Sequence, residues 1–329
     1  MAKIKVENNF IWIILAAIRI YSTNFLRFCG YMLFPVLGQV LGLMLVFSLS
    51  ALFTAYLPEL ADKYAFFRDY TTMVMSIVVI IIPGLLIFMK AFWDYLVAYG
   101  AINSITDGFL TTGKIYDFPA HKATITTRSF SYIGLWILYS IFISASILIP
   151  VLWLIGAVFF VYFVLVFQVF SFEPDKSPTG CFGRSFEIIK GNGFRTLLIM
   201  AIIGIFTHIL FVQGFSVIFD FTKLTHFLGL VFDKTIVELV PIDIINDKIL
   251  MFNSSFNLIT PSKVSEFFVY QTVSFIVIGF TLPLRSITWA LWYKALAGDN
   301  GYETANKGGK RIVKRVSAEI INRAKNQRD

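Results

Sequence analysis

The chain has 329 residues, of which 57% are hydrophobic and only 15% carry a charge. A soluble domain is about 25% charged, so this composition excludes a water-soluble fold and indicates a protein whose solvent is the lipid bilayer. Most of the net charge of +8 lies in the N-terminal segment and the last 36 residues, beside apolar runs. That placement argues against a nucleic-acid-binding domain, which presents its basic residues on a folded face.

The first 28 residues contain an amphipathic stretch. Its apolar stripe is formed by Ile11, Ile14, Leu15, Ile18 and Phe25, with Arg19 and Asn24 off the stripe. Such a helix lies in the membrane interface with its apolar face towards lipid. Residues 1–28 are therefore predicted to form an N-terminal interfacial helix.

Long intervals without charged residues follow, and a spanning helix needs about 20 apolar residues. Four intervals suit one span each, and they are 28–58, 70–89, 196–219 and 267–284. A fifth, 129–172, holds 44 residues with Pro150 near its middle and predicts a tight hairpin of two spans. The sequence thus predicts an all-α polytopic protein with six transmembrane helices in residues 29–293.

The outer loop of that domain, residues 219–265, is predicted to contain an interfacial helix. Apolar residues recur there at helical spacing, at Phe221, Leu224, Leu228, Phe232 and Ile236. Residues 294–329 form a basic tail.

Lysine and arginine in the short loops set the orientation of the spans. The segments before the first, third and fifth spans, together with the tail, are basic and fall on one side. This predicts an integral protein of the bacterial cytoplasmic (inner) membrane, with both termini cytoplasmic.

An internal repeat is also predicted. Residues 20–27 and 188–195 share Ile, Asn and Arg at the same spacing, and each segment precedes a span. A second amphipathic stretch, Cys181–Arg195, places Phe182, Phe186, Ile189 and Phe194 on one side, which is likewise predicted to face lipid. A unit of one surface helix and two spans, used three times, accounts for six spans.

The segment from Phe172 to Arg195 resembles a known family signature. Glu173 ends one span, Ser185 lies in a short helix, and Lys190, Gly191, Asn192 and Arg195 lead into the next span. This pattern is similar to the membrane domain fused to some bacterial glycerophosphodiester phosphodiesterases and to the wider YciC-like group. The resemblance implies a six-span fold with surface helices. It implies no phosphodiesterase activity, because the catalytic domain of the fused enzymes is not in these residues.

Charged residues within spans suggest a polar cluster of Lys90, Asp94 and Arg285. Lys90 and Asp94 are four residues apart and share a helix face. One interpretation is that all three line a vestibule open to the cytoplasm. The other is that they reach the interface individually, within an aromatic belt containing Trp93, Tyr95, Trp289 and Trp292.

Two further patterns concern packing and the membrane surface. Gly38 and Gly42 form a G-x-x-x-G pattern that permits close helix packing, within the chain or in a homodimer. The tail from Gly308 predicts a basic amphipathic helix on an anionic leaflet, with its charges at Lys310, Arg311, Lys314 and Arg315.

No sequence pattern points to catalysis, a metal or a cofactor. His121, His208 and His226 show no metal-ligand spacing, and the H-E-x-x-H, G-x-S-x-G and P-loop motifs are absent from the sequence. We therefore expect a non-enzymatic membrane module that organises lipid or partner proteins, with membrane lipids, other membrane proteins or a second copy as partners and no nucleic acid. The alternative is a transporter or permease for a small solute or lipid.

Overall fold

The computed structural model describes residues 8–112, 118–148, 153–252 and 258–297, together with Val6 and Ile115. Over these residues the chain is helical and contains no strand. Two predictions lie outside the described residues: the turn at Pro150 and the tail helix with Lys310, Arg311, Lys314 and Arg315.

Fifteen α-helices are present in the described part of the chain. They are α1 Phe10–Thr23, α2 Phe25–Lys63, α3 Tyr70–Thr112, α4 Phe118–Thr126, α5 Ser129–Leu148, α6 Trp153–Tyr162, α7 Val166–Phe172, α8 Pro178–Ile189, α9 Gly193–Gly204, α10 Phe211–Phe221, α11 Leu224–Asp233, α12 Ile236–Leu239, α13 Ile242–Phe252, α14 Pro261–Phe280 and α15 Leu282–Ala297. A 3₁₀ turn, Ala65–Arg68, precedes α3, and a π-helical segment, Ile205–Leu210, joins α9 to α10.

Six helical segments of the described chain are long and apolar enough to cross a membrane. They lie in α2, α3, α5, α6 with α7, α9 with α10, and α14. The predicted all-α fold with six candidate spans is confirmed.

The described residues form two compact units. Unit 1 contains those within Met1–Phe28, Leu96–Gly204 and Leu282–Asp329, and unit 2 those within Cys29–Tyr95 and Ile205–Thr281. The long helix α3 therefore contributes its first part to unit 2 and its last part to unit 1.

Helix α15 is the buried centre of unit 1. It packs against α1, α7 and α8, and every residue from Leu282 to Tyr293 except Arg285 is buried. A helix buried on all sides belongs to a protein core. The predicted aromatic belt is wrong for Trp289 and Trp292, because both indole rings lie inside this unit.

The surface helices α1 and α8 pack on unit 1 through faces that differ from the predicted stripes. In α1, Ile13 and Ala17 are fully buried, while Ile11 and Leu15 are exposed. Contacts with α15 account for the buried face. Helix α1 has two apolar faces, one packed on the protein and one exposed, and the predicted stripe combined residues of both.

In α8, the prediction that Phe182 and Ile189 face lipid is wrong. Both are buried, together with the small residues Cys181 and Ser185, which let α8 approach α7 closely. Phe186 is exposed.

Five chain breaks among the described residues share one hydrogen-bond pattern, and we call the three whose bonded residues are all buried elbows. The other two, at Asp69 and Lys223, bond residues that are not buried. In each break, one residue donates its N–H to the carbonyl three residues earlier, and its carbonyl accepts the N–H of the residue four positions later. The elbow residues are Asn24 (to Tyr21, 3.2 Å; from Phe28, 3.1 Å), Arg128 (to Ile125, 3.0 Å; from Tyr132, 2.9 Å) and Asn192 (to Ile189, 2.7 Å; from Thr196, 2.9 Å). All six bonded residues are buried.

The elbows support the predicted repeat of three units, because each unit begins with the same hydrogen-bond pattern. Each elbow joins a short helix to a span, and two spans follow, giving repeats α1–α3, α4–α7 and α8–α15. The third elbow also needs Gly191, whose φ of +85° is strained for side chains with a Cβ.

In unit 2, the helix predicted in the outer loop is present as α11. Its residues Leu228 and Phe232 are buried against Val273 and Val277 of α14. Phe221 instead ends α10 and is exposed. A helix is confirmed over Leu224–Asp233 only, since Ile236 belongs to α12, and the interfacial position stays a prediction.

Gly38 and Gly42 face α3 within the chain. A Cβ added to Gly38 would lie 2.8 Å from the Ala91 side chain. At Gly42 the neighbours are backbone atoms, with Phe88 N at 2.6 Å and Gly84 O at 2.9 Å. The G-x-x-x-G pattern therefore brings α2 and α3 into direct backbone contact.

Replacing Gly42 with Ala is expected to lower the thermal stability of the detergent-purified protein. Backbone atoms of α3 cannot rotate away from the new methyl group, and overpacking costs about 1–3 kcal/mol. Gly30→Ala is the matched control, since nothing lies within 4 Å of a Cβ at that position on the same helix. Ala improves helix propensity by about 1 kcal/mol, so Gly30→Ala is expected to be neutral or stabilising. Equal unfolding temperatures for the two variants would contradict the close α2–α3 packing.

Candidate functional site

A buried amide joins the last helices of the three repeats inside unit 1. Asn103 of α3 is fully buried, and its Nδ2 donates to Oγ of Ser171 in α7 at 3.1 Å. Its Oδ1 accepts from Oγ of Ser286 in α15 at 3.0 Å and from Nε2 of Gln168 in α7 at 3.4 Å. We call these four residues the Asn103 hub.

The two hydroxyl groups of the hub also lie within hydrogen-bond distance of backbone carbonyls. Ser171 accepts from Asn103 and donates to the carbonyl of Phe167 at 2.8 Å. The Ser286 hydroxyl also lies 3.1 Å from the carbonyl of Tyr99. Because buried polar groups are costly unless they are paired, these bonds constrain where α3, α7 and α15 meet.

A charged layer lies one to two helical turns from the hub. Lys294, eight residues after Ser286 on α15, forms an ion pair with Asp107, four residues after Asn103 on α3. The Lys294 ammonium also lies 5.1 Å from the centre of the Phe172 ring. This ion pair is a second contact between α3 and α15, formed by two oppositely charged side chains.

Glu173 is the second centre of the charged layer. Its Oε1 accepts from the Tyr293 hydroxyl at 2.7 Å and from Nε of Arg184 at 3.0 Å. Burial opposes the charge of Arg184, but its bonds to Glu173 and Glu187 outweigh burial and raise the pKa of the guanidinium above its usual value. Helices α7, α8 and α15 are thus tied together by one carboxylate.

The elbows connect to the same core. Thr196, four residues after the third elbow residue, accepts from Nε1 of Trp292 in α15 at 3.0 Å. Tyr132, four residues after the second, donates to the carbonyl of Leu96 in α3 at 2.7 Å. Both side chains are fully buried. Tyr132 therefore joins the second repeat to the first, and Thr196 joins the start of α9 to α15 within the third repeat.

Arg128, the second elbow residue, holds the chain that leaves α7. Its Nη1 and Nη2 donate to the carbonyls of Phe170 and Lys176, both at 3.0 Å. Its guanidinium lies 4.0 Å from the centre of the Phe170 ring. Burial lowers the pKa of this guanidinium, and the nearby Cys181 and Asp175 act in the opposite direction.

The polar cluster predicted from the sequence is present in part. Lys90 and Asp94 form an ion pair on α3, with Asp94 buried and the Lys90 ammonium 5.9 Å from the centre of the Phe34 ring. Arg285 belongs to unit 1, whereas the other two belong to unit 2. Its place in the cluster stays a prediction.

Among the described residues, no group of three or more His, Cys, Asp and Glu side chains is placed to hold a metal ion. The Cys181 thiol is buried, and burial raises its pKa to about 11. A thiol with so high a pKa is a poor nucleophile at neutral pH. The bonds described for the hub and the charged layer hold helices together.

The chain was compared with known protein families, with curated proteins and with solved structures, and no match was found.

Sequence reasoning missed the hub. Asn103, Ser171 and Ser286 are uncharged, and they lie at or just beyond the ends of apolar runs, where single polar residues are common. The usable signal was an amide in an otherwise apolar stretch, since Asn103 stands between the buried alanines and isoleucines of α3. Glu173 was named only through the family resemblance.

Asn103→Ala is expected to destabilise the detergent-purified protein by roughly 3 kcal/mol. The substitution leaves the buried amide of Gln168 without this partner and removes one bond from each serine, and each unsatisfied buried group costs about 1–3 kcal/mol. Asn8→Ala, at an exposed position, is the control and should leave the free energy of unfolding unchanged. If both variants unfold like the natural sequence, Asn103 does not hold the three repeats together.

Proposed function

We propose that this chain is a non-enzymatic integral membrane module that organises anionic lipid. The proposal rests on one repeated observation: a large, exposed apolar side chain stands two residues after each elbow residue. These side chains are Leu26, Phe130 and Phe194, exposed to 82%, 92% and 73%. Each lies at the start of a span, where apolar side chains insert among lipid tails beneath the headgroups.

Basic residues accompany these apolar side chains. Arg27 and Arg195 are both exposed and stand three residues after their elbow residues. Lys190 and Arg19 precede the same two elbows and are also exposed. Each lysine or arginine near an anionic leaflet contributes about 1 kcal/mol to attraction, so the first and third elbows combine an apolar anchor with a site for a lipid phosphate.

Two spans separate each elbow from the next. A chain that crosses the membrane six times therefore brings the three elbows to one membrane face, which we call the elbow face. The basic segments of the sequence support a cytoplasmic position for this face in a bacterial inner membrane.

A transporter is the second candidate. The Lys90–Asp94 ion pair within the second span favours it, because charged residues inside spans often line a solute pathway. The packing of unit 1 favours the lipid-organising module instead. A pathway through that unit would have to displace α15, whose Ile287 and Trp292 are fully buried.

Membership of the YciC-like group is part of the proposal. Residues of its signature have structural roles here: Glu173 bonds Arg184 and Tyr293, and the Ser185 hydroxyl donates to the carbonyl of Tyr162 at 2.7 Å. Asn192 forms an elbow. Because these residues hold helices together, such a signature would be typical of chains with this fold.

The proposal is tested with spin-labelled phosphatidylglycerol and phosphatidylcholine in vesicles that contain the reconstituted protein. We expect the lipid shell to favour phosphatidylglycerol, and the combined variant Arg27→Gln with Arg195→Gln to weaken that preference. The expected decrease is about twofold or more, since roughly 1 kcal/mol per basic residue is averaged over the whole shell.

The control variant combines Lys223→Gln with Lys263→Gln, which removes the same charge from exposed positions of unit 2. It should leave the preference nearly intact. An equal decrease in both variants would mean that net charge alone attracts the lipid, and no preference in the natural sequence would contradict the proposal.

A further inference from the structure

Unit 2 contains an open groove between the end of α2 and the beginning of α3. Its volume is about 500 Å³, and it is a shallow surface groove rather than an enclosed pocket. Phe53 of α2, Phe67 of the 3₁₀ turn, and Met75, Ser76 and Val79 of α3 are among its lining residues.

The groove follows one face of α3. Thr72, Met75, Ser76, Val79 and Ile80 recur at spacings of three and four residues, so they form a stripe along the helix. At about 1.5 Å per residue this stripe is about 12 Å long, close to the roughly 15 Å of hydrocarbon in one leaflet. The groove therefore has the length of a large part of one lipid tail.

Two hydroxyl groups of the lining, those of Thr72 and Ser76, already have hydrogen-bond partners. The Thr72 hydroxyl lies 3.0 Å from the Asp69 carboxylate, and the Ser76 hydroxyl donates to the carbonyl of Thr72 at 2.8 Å. The groove consequently offers an apolar wall and makes no demand for a polar ligand along its length.

Aromatic rings form one end of the groove. The Phe67 ring lies 6.2 Å from Phe53 and 4.3 Å from Phe66, between ring centres. Tyr64 joins this cluster at 5.9 Å from Phe66. Such clusters are typical of the level of lipid headgroups, and here the cluster stands just before the first residue of the second span.

Two cations are held at the same end. The Lys63 ammonium lies 5.6 Å from the centre of the Tyr64 ring, and Nε of Arg68 donates to the carbonyl of Ala61 at 2.9 Å. Glu59, Asp62 and Asp69 stand in the same segment, so the two cations complement the phosphate of a phospholipid locally and not through net charge. The apolar trough beside them is complementary to a long apolar tail.

We propose that this groove binds one acyl chain of a phospholipid, with the lipid phosphate beside Lys63 and Arg68. The groove lies wholly in unit 2, at the start of the second candidate span, whereas the three elbow residues belong to unit 1. The site involves none of the residues of the proposed elbow function and does not depend on that function.

The test uses the full chain in lipid nanodiscs with a phosphatidylglycerol probe that carries a photoreactive diazirine on one acyl chain. We expect crosslinks to concentrate on the groove, at residues such as Met75 and Phe53. Crosslinks scattered evenly over the lipid-facing surface of the spans would overturn the proposal. This mapping needs no variant, so it holds even where a substitution disturbs folding.

A matched pair of substitutions sharpens the test. Val79→Trp fills the groove, whereas Val78→Trp adds the same bulk at the neighbouring exposed position outside the lining. Val79→Trp should lower groove crosslinking by about tenfold, a loss of about 1.4 kcal/mol in binding, and Val78→Trp should leave it unchanged. Equal crosslinking in the two variants would contradict acyl-chain binding.

A third arm examines the phosphate. A diacylglycerol probe with the same photoreactive tail has no phosphate, and we expect it to label the groove more weakly than phosphatidylglycerol. Equal labelling by both probes would overturn the assignment of the phosphate to Lys63 and Arg68.

Discussion

The side-chain amide of Asn103 cannot be buried without partners, and its partners stand on two other helices. Desolvating an unpaired amide costs several kcal/mol in an apolar environment. Ser171 and Gln168 of α7 and Ser286 of α15 supply the bonds. The amide thus selects the arrangement in which the last helices of all three repeats meet at one point, and most other arrangements of apolar helices would leave it unsatisfied.

The rest of unit 1 follows from that meeting point. With α3, α7 and α15 fixed at the hub, Asp107 and Lys294 come together as an ion pair beyond it. The elbows then complete the arrangement, because Thr196 and Tyr132 bond to helices that the hub has placed. The outward sides of the elbows remain available for lipid, which links a buried amide to the proposed function at the membrane surface.

The sequence predicted the number of spans because the cost of burying charge in lipid is large and local. A charge-free interval of sufficient length is a direct sign of that constraint. The repeat was predictable in two copies through Asn24 and Asn192, whereas the second copy uses Arg128 at the same place. Backbone hydrogen bonds define an elbow, so different side chains can occupy it.

The position of α15 could not be predicted in the same way. Its tryptophans are typical both of a membrane interface and of a buried core, and composition does not separate the two. The predicted lipid-facing stripe of α8 was wrong for a related reason: small residues such as Cys181 and Ser185 made close packing against α7 more favourable for that face. Long-range contacts decide such cases, and a linear pattern does not contain them.

A double-mutant cycle between Asn103 and Ser286 measures directly how far the packing of α3 against α15 depends on the bond between these two side chains. The free energy of unfolding is measured for Asn103→Ala, for Ser286→Ala and for the double variant, in the same detergent. We expect a coupling of about 1 kcal/mol, within the range of about 0.5–3 kcal/mol seen for residues in one hydrogen-bond network. Additive effects, within about 0.3–0.5 kcal/mol, would show that α3 and α15 do not depend on this bond and would contradict the account.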